Sequence, residues 1–302
     1  MHAAGRGPGF AARVLTSVFL QEDINFLLTN RIPRRYATLF VAWFARIRSP
    51  RLAAMSVYIW SRFADLKLDE ARTRQFATLR DCFIRELRDG ARRFDPDPRV
   101  AASPCDALVG ACGSVCREQA VQAKGLSYSV RELLKDDTLL ECHEGGSFVT
   151  LRLRAEMYHR FHAPCTARVR RVKYISGDTW NVNPIALRRV ENLFCKNERA
   201  VVPLELSRPG SYLTLVPVAA ILVGGIRLRC VSEPLNLSVR GSKEIRCDGE
   251  FHKGDELGYF ESGSTILVFA SKDFKFAPNI VEGATIRAGE PLFHHADPIA
   301  NL

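Results

Sequence analysis

The sequence Gly263-Ser264-Thr265 lies between a polar turn and an apolar segment near the C-terminus. In a strained turn, a serine hydroxyl can attack the preceding carbonyl in an N→O acyl shift that converts the peptide into an ester. β-Elimination then breaks the chain and leaves a pyruvoyl group, a carbonyl electrophile, on the new N-terminus. Glycine suits the first position because it has no Cβ to block a tight approach. Such tripeptides are also common in ordinary turns, so this chemistry needs support from elsewhere in the chain.

A serine is a poor nucleophile unless a base takes its proton, and histidine is the usual base. His159 and His162 stand three positions apart. On a strand, such positions point to opposite faces, so one ring can enter a site while the other supports it. A metal site made by His159, His162 and Cys165 would need all three side chains to converge, and nothing else in the sequence supports it.

The elements before Asp95 are predicted to be helical. Apolar residues recur on one helical face at Leu79, Phe83, Ile84 and Leu87. Thr78 can cap the start of this helix, and Gly90 suits its end. Asp95-Pro96-Asp97-Pro98 then breaks the pattern and marks a boundary. We therefore expect a helical region over residues 1–92 and a separate catalytic domain over residues 93–302.

The second region is predicted to be rich in β-structure. Its short strand-like segments alternate or are rich in β-branched residues, and they cover residues 149–153, 212–218, 219–223 and 264–270. The segment Lys253–Gly258 resembles the turn before a strand in lipoyl-like β-sandwich modules. The predicted fold class is α+β, with helices first and a β-rich core containing a lipoyl-like element.

Residues 31–64 contain seven arginines and seven aromatic residues, and they contain no Asp or Glu. This composition is typical of helices that lie in the interface of an anionic membrane. The alternative is that the aromatics pack on the core. Nucleic acid suits the segment less, because the aromatics are mixed with aliphatic residues. The net charge of +10 also favours anionic partners, and no apolar run reaches the ~18 residues that span a bilayer.

Five stretches, in one order, resemble the phosphatidylserine decarboxylase family. The most specific are Tyr-His-Arg-x-His-x-Pro and Asn-Leu-Phe-x-x-Asn-Glu-Arg. The five stretches are Phe83–Arg88, Pro104–Ala107, Tyr158–Cys165, Val182–Pro184 running on to Asn192–Arg199, and Lys253–Ala270. The likeness covers roughly residues 70–290.

The resemblance implies self-cleavage between Gly263 and Ser264 into a β chain (residues 1–263) and an α chain (residues 264–302). Asp106 would orient His162, which would deprotonate Ser264, and His159 would lie near the headgroup. The pyruvoyl cofactor on residue 264 would form a Schiff base with phosphatidylserine. Loss of CO₂ and protonation, with His162 as the candidate acid, would give phosphatidylethanolamine without a metal.

The family also implies a homodimer of β/α pairs, and we expect a peripheral protein on the cytosolic face of the cell membrane. Two departures from the family pattern are Ala107, where glycine is common, and Ser262, where leucine is usual. An anionic-lipid-binding relative without activity, and a decarboxylase of a soluble amino acid, are the alternative functions.

Overall fold

The computed structural model describes residue 26 and residues 33–123, 125–221, 225–233, 235, 241–261 and 264–296. Within these residues the fold is α+β, with short helices before a core of antiparallel sheets, as the sequence predicts. Seven helices with described bounds are α1 Arg34–Ala45, α2 Pro50–Ser61, α3 Leu79–Phe83, α4 Val130–Leu134, α5 Asp137–His143, α6 Pro184–Leu187 and α7 Leu193–Lys196. No helix in this part of the chain is long and apolar enough to cross a membrane.

The strands form one large sheet and three small ones. In chain order the strands are β1 Val100–Ala102, β2 Ala107–Ser114, β3 Gln119–Ala123, β4 Leu126–Ser129, β5 Ser147–Leu153, β6 Arg160–His162, β7 Ala167–Ile175, β8 Arg199–Glu205, β9 Tyr212–Val218, β10 Ile226–Leu228, β11 Ser242–Phe251, β12 Glu256–Phe260, β13 Ser264–Ala270, β14 Phe274–Phe276, β15 Thr285–Ile286 and β16 Pro291–His295. The eight-stranded sheet has the order β11-β7-β8-β9-β13-β5-β2-β15.

Strand β13 is the structural centre of this sheet. It pairs with β9 on one side and β5 on the other, and every residue from Ser264 to Ala270 is buried. Its β-branched and aliphatic residues suit a strand that is covered on both faces. The predicted strands at residues 212–218 and 264–270 are therefore confirmed at their full lengths.

The helix predicted from Thr78 to Gly90 is correct at its start and wrong at its end. Thr78 and Asp81 form a capping box, but α3 ends at Phe83. Beyond it the chain is extended, because the amide of Arg72 donates to Glu86 O at 2.8 Å and that of Arg88 donates to Glu70 O at 2.9 Å. Pairing of residues 86–88 with residues 70–72 thus replaces the last predicted turns of the helix.

The prediction of a strand at residues 219–223 is also wrong for residues 219–221, which the structure describes. The chain leaves the sheet after Val218, and residues 219–221 lie outside any strand. Residues 222–224 lie outside the described part of the chain. The apolar character of residues 219–221 reflects burial of Ala219 and Ala220 rather than strand pairing.

Candidate active site

Ser264 is the first residue of β13 and is only 2% exposed. Its hydroxyl oxygen, Oγ, has no hydrogen-bond partner among the described residues. Leaving a buried hydroxyl unpaired costs about 1–3 kcal/mol, so such groups are rare unless the site has another use for them. Gly263, on the other side of the predicted cleavage bond, lies outside the described residues.

Glu261 anchors the chain on the upstream side of this bond. Its buried carboxylate accepts hydrogen bonds from Arg46 at 2.5 Å and Arg80 at 2.9 Å, and Arg227 lies 3.5 Å away. Burial alone would raise the pKa of Glu261, but the bonds and charges of Arg80 and Arg46 outweigh it and lower the pKa. The predicted cleavage bond is therefore preceded by the ion-pair cluster of Glu261 and followed by the central strand.

Glu261 carries no sequence signal that would mark it before the fold is known. It is a single acid between Phe260 and Ser262 and belongs to no motif. Its partners Arg46, Arg80 and Arg227 come from three separate parts of the chain. A long-range ion pair of this kind leaves no local spacing to detect. The nearest signal is the excess of arginine over acid in residues 31–64, which includes Arg46.

His162 ends β6 and uses both ring nitrogens. Nδ1 lies 2.8 Å from the carbonyl oxygen of Gly254, so it must carry the proton that this bond requires. Nε2 lies 3.0 Å from the hydroxyl of Tyr158 and is the acceptor in the neutral ring. Burial lowers the pKa of His162 and outweighs the opposing bond to Gly254. The ring is thus held in the neutral form that a base needs.

Asp106 binds Arg92 and a backbone amide rather than His162. Arg92 Nε donates to its Oδ1 at 2.7 Å, and the amide of Ala288 donates to the same oxygen at 2.9 Å. The direct Asp106–His162 hydrogen bond implied by the resemblance is absent from this arrangement. The carboxylate is still close enough for its charge to favour the protonated form of His162. It also lines a cavity of ≈ 200 Å³ together with Tyr158, the hydrogen-bond partner of His162.

The departure at Ala107 is harmless to the backbone. Ala107 begins β2 and is not among the described non-glycine residues with positive φ. A Cβ is therefore tolerated there without strain. The other departure, Ser262, lies outside the described residues.

His159 has surroundings different from those of His162, as the spacing predicts. Its ring is fully buried and lies 5.8 Å, between ring centroids, from Phe83. Phe83 in turn lies 4.5 Å from the ring of Trp60 on α2. Burial, with a smaller effect from the charge of Arg85, lowers the pKa of His159 to about 3, so this ring is neutral at physiological pH. An aromatic chain thus connects the second helix to the histidine.

Helices α1 and α2 expose a large apolar surface. The exposed members are Tyr36, Leu39, Phe40, Trp43, Met55, Tyr58 and Ile59, with Phe63 just beyond α2. Phe63 and Trp43 are 75% and 60% exposed, whereas Phe44 and Trp60 are half-buried. Of the seven aromatics in residues 31–64, five are therefore exposed and only Phe44 and Trp60 are half-buried, so packing on the core accounts for only part of the set. Arg46 on this surface joins the helices to Glu261.

Among the residues that the structure describes, no group of three or more His, Cys, Asp or Glu side chains is arranged to hold a metal ion. The structure therefore gives no support to a metal site made by His159, His162 and Cys165. The groups singled out by the sequence are thus a buried serine, a neutral histidine and a carboxylate, and among the described residues no hydrogen bond joins Ser264 to His162 or Asp106.

Comparisons with known proteins agree with the resemblance. Residues 79–294 match the family model described as phosphatidylserine decarboxylase. The chain is 36% identical to the phosphatidylserine decarboxylase proenzyme of Aliivibrio fischeri strain MJ11 over 91% of this chain and 99% of that protein. It is 36% identical to the proenzyme of Anaeromyxobacter sp. strain K, over 90% and 98% of the two chains. For the Vibrio cholerae O395 proenzyme the identity is 34%, over 91% and 100%.

Proposed function

The chain belongs to the phosphatidylserine decarboxylase family, and from this premise we propose that it cleaves itself between Gly263 and Ser264 and decarboxylates phosphatidylserine to phosphatidylethanolamine. The observation that carries the proposal is the buried hydroxyl of Ser264 at the start of the central strand, which has no hydrogen-bond partner in the described part of the chain. An oxygen in that position fits a residue that is to be converted into a pyruvoyl group. When formed, this group would supply a carbonyl that withdraws electrons from the carbon losing CO₂.

Different residues of the chain would have different roles in self-cleavage. Neutral His162 would take the proton from Ser264, and Asp106 would stabilise the positive ring that results, through its charge. Glu261 and its arginines would hold the segment before the bond, while pairing of β13 with β5 and β9 would hold the segment after it. His159 would lie beside the bound headgroup.

The test is intact mass spectrometry of the purified protein together with a lipid assay. Two chains, with a blocked N-terminus on the smaller one, and phosphatidylethanolamine formed from phosphatidylserine would support the proposal. A protein that stays as a single chain and still decarboxylates would refute it.

The architecture leads to an expected result for the cleaved protein: its two chains should stay together. The smaller chain would contain β13 to β16, and β13 is hydrogen-bonded to strands of the larger chain on both sides. Ser211 of the larger chain also donates to Asp273 of the smaller one at 2.5 Å. Native mass spectrometry should give one complex that separates under denaturing conditions. Dissociation of the small chain in native buffer would contradict this prediction.

We also propose that the protein is peripheral on the cytosolic face of the membrane, with residues 1–92 forming the membrane-associating region and residues 93–302 the catalytic domain. The exposed apolar surface of α1 and α2 supports this assignment, because a lipid substrate must reach the site from a bilayer. Pairing of two β/α units into a homodimer is part of the same proposal.

The membrane assignment leads to a further expected result. Replacing the exposed Tyr36, Phe40, Trp43 and Phe63 with serine should lower binding to vesicles that contain anionic lipid. The loss should be greatest at high salt, because salt screens the arginines, each worth about 1 kcal/mol at such a surface, and leaves the apolar contribution. Vesicle flotation at low and high salt measures both contributions.

Two controls make this test specific. Tyr212→Ser changes a partly exposed aromatic on β9 and should leave flotation unchanged. Self-cleavage of the four-residue variant should also survive, because its residues lie outside the cleavage site. Undiminished flotation of that variant would show that another surface meets the lipid.

A further inference from the structure

Glu198 is a buried acid that directly precedes β8, a strand of the sheet that contains Ser264. Its side chain is 1% exposed and is hydrogen-bonded to Tyr174 on the neighbouring strand β7. The second carboxyl oxygen, Oε1, has no hydrogen-bond partner among the described residues. A buried carboxyl with one oxygen unpaired is unfavourable for stability, so its retention needs a reason.

Glu198 and Ser264 lie at the same end of the large sheet, each next to a residue of one paired row. The amide of Ala219 donates to Glu198 O at 2.8 Å, and Arg199, Val218 and Thr265 lie opposite one another on β8, β9 and β13. Glu198, Ala219 and Ser264 are the next residues of these three segments; Ser264 begins β13, while Glu198 and Ala219 stand one residue outside β8 and β9. Residues directly opposite one another project from the same face of a sheet.

Glu198 therefore shares a face with Ser264, and the residue between them has only a methyl side chain. Two strand spacings separate their backbones by about 10 Å. A carbonyl group made from residue 264 would therefore lie on the same face of the sheet as the Glu198 carboxyl.

The adjacent cation does not neutralise this acid. Arg199 projects from the opposite face, where its guanidinium donates to the carbonyl oxygens of Glu132 and Leu133, both at 2.8 Å. Without a paired charge, burial raises the pKa of Glu198 to about 7, against a smaller opposing effect of the bond from Tyr174. At neutral pH the carboxyl group therefore holds a proton for a large part of the time.

We propose that Glu198 is the acid that delivers a proton to the substrate carbon after CO₂ leaves, a role that rests on the decarboxylase function proposed above. The bond from the substrate carbon to its carboxylate breaks, and the electron pair left behind takes the Glu198 proton to form a C–H bond. Water then reprotonates the Glu198 carboxylate before the next turnover.

This assignment divides two roles that the sequence analysis gave to His162 alone. Burial lowers the pKa of His162, which suits a base, and raises that of Glu198, which suits an acid. Environments that separate the pKa values of two groups in this way commonly mark a base and an acid. A protonated Glu198 also avoids repelling the carboxylate of the incoming substrate.

The test is Glu198→Gln, which keeps the shape and the bond to Tyr174 but cannot release a proton. We expect normal cleavage into two chains and a kcat lower by ~10²–10⁴-fold, with KM little changed. The matched control is Glu205→Gln at the other end of β8, where an exposed Glu205 pairs with Arg170 at 2.6 Å. This control should leave cleavage and kcat at wild-type values.

A second readout does not depend on activity. Folding raises the pKa of Glu198 from 4.5 to about 7, so between these values the folded protein binds more protons than the unfolded chain. The free energy of unfolding contributed by this group therefore falls as the pH rises through this window. The wild-type Tm should fall, relative to that of Glu198→Gln, between pH 4.5 and 7. Tyr174, the ionisable group in contact, titrates above this window because burial raises its pKa.

Tyr174→Phe provides a variant that keeps the acid itself. Removing the bond that lowers the pKa of Glu198 should move the alkaline limit of kcat to higher pH. Wild-type kcat in fully cleaved Glu198→Gln would overturn the proposal, and so would failure of that variant to cleave despite an unchanged Tm. Cleaved wild-type protein without decarboxylase activity would instead refute the proposed function.

Discussion

Replacing Ser264 with alanine is expected to leave the protein as one 302-residue chain with no decarboxylase activity. Alanine has no hydroxyl to attack the Gly263 carbonyl, so neither the ester nor the new N-terminus can form. The hydroxyl that is lost has no hydrogen-bond partner among the described residues, so the fold should tolerate the change. Intact mass spectrometry and thermal unfolding would measure these two effects separately.

Ser262→Ala is the matched control for this experiment. It removes a serine two residues away, which follows Glu261 instead of a glycine and is not expected to give the same product. The control should still separate into two chains. An uncleaved Ser264→Ala protein with wild-type activity would show that a carbonyl made from this residue is not needed.

His162→Ala and Asp106→Asn are each expected to slow self-cleavage, by up to ~10⁴-fold as in other serine nucleophile systems that lose a partner. Without the neutral imidazole, Ser264 has no base. Without the charge of Asp106, the protonated ring loses a stabilising interaction. The fraction of uncleaved chain on denaturing gels, followed over time after synthesis, measures the rate.

Both variants need checks on folding. Asp106→Asn weakens the pairing with Arg92 at 2.7 Å, so its Tm must be compared with that of the wild type. His252→Ala removes an exposed histidine from the turn before β12 and should cleave at the normal rate. Normal cleavage of folded His162→Ala would exclude this ring as the base.

Local sequence patterns predicted the parts of the fold whose energetics are local. The β-branched run from Ser264 to Ala270 forms the predicted strand because its residues fit a covered sheet whichever partners it meets. Thr78 caps its helix because capping needs only a residue three positions later. The end of that helix could not be predicted from local sequence, because residues 86–88, predicted to be helical, pair with residues 70–72 instead.

The sequence by itself determined which groups could do chemistry in this protein. They are a Gly–Ser bond before a strand and two histidines three positions apart, and they belong to a family pattern that the comparisons confirm. Only the tertiary structure decided the partners of these groups. It joins Asp106 to Arg92, Glu261 to Arg46, and Glu198 to Tyr174. Charge pairing and burial depend on distances between residues far apart in the chain, so the packed fold, rather than local spacing, sets which groups pair and which have a shifted pKa.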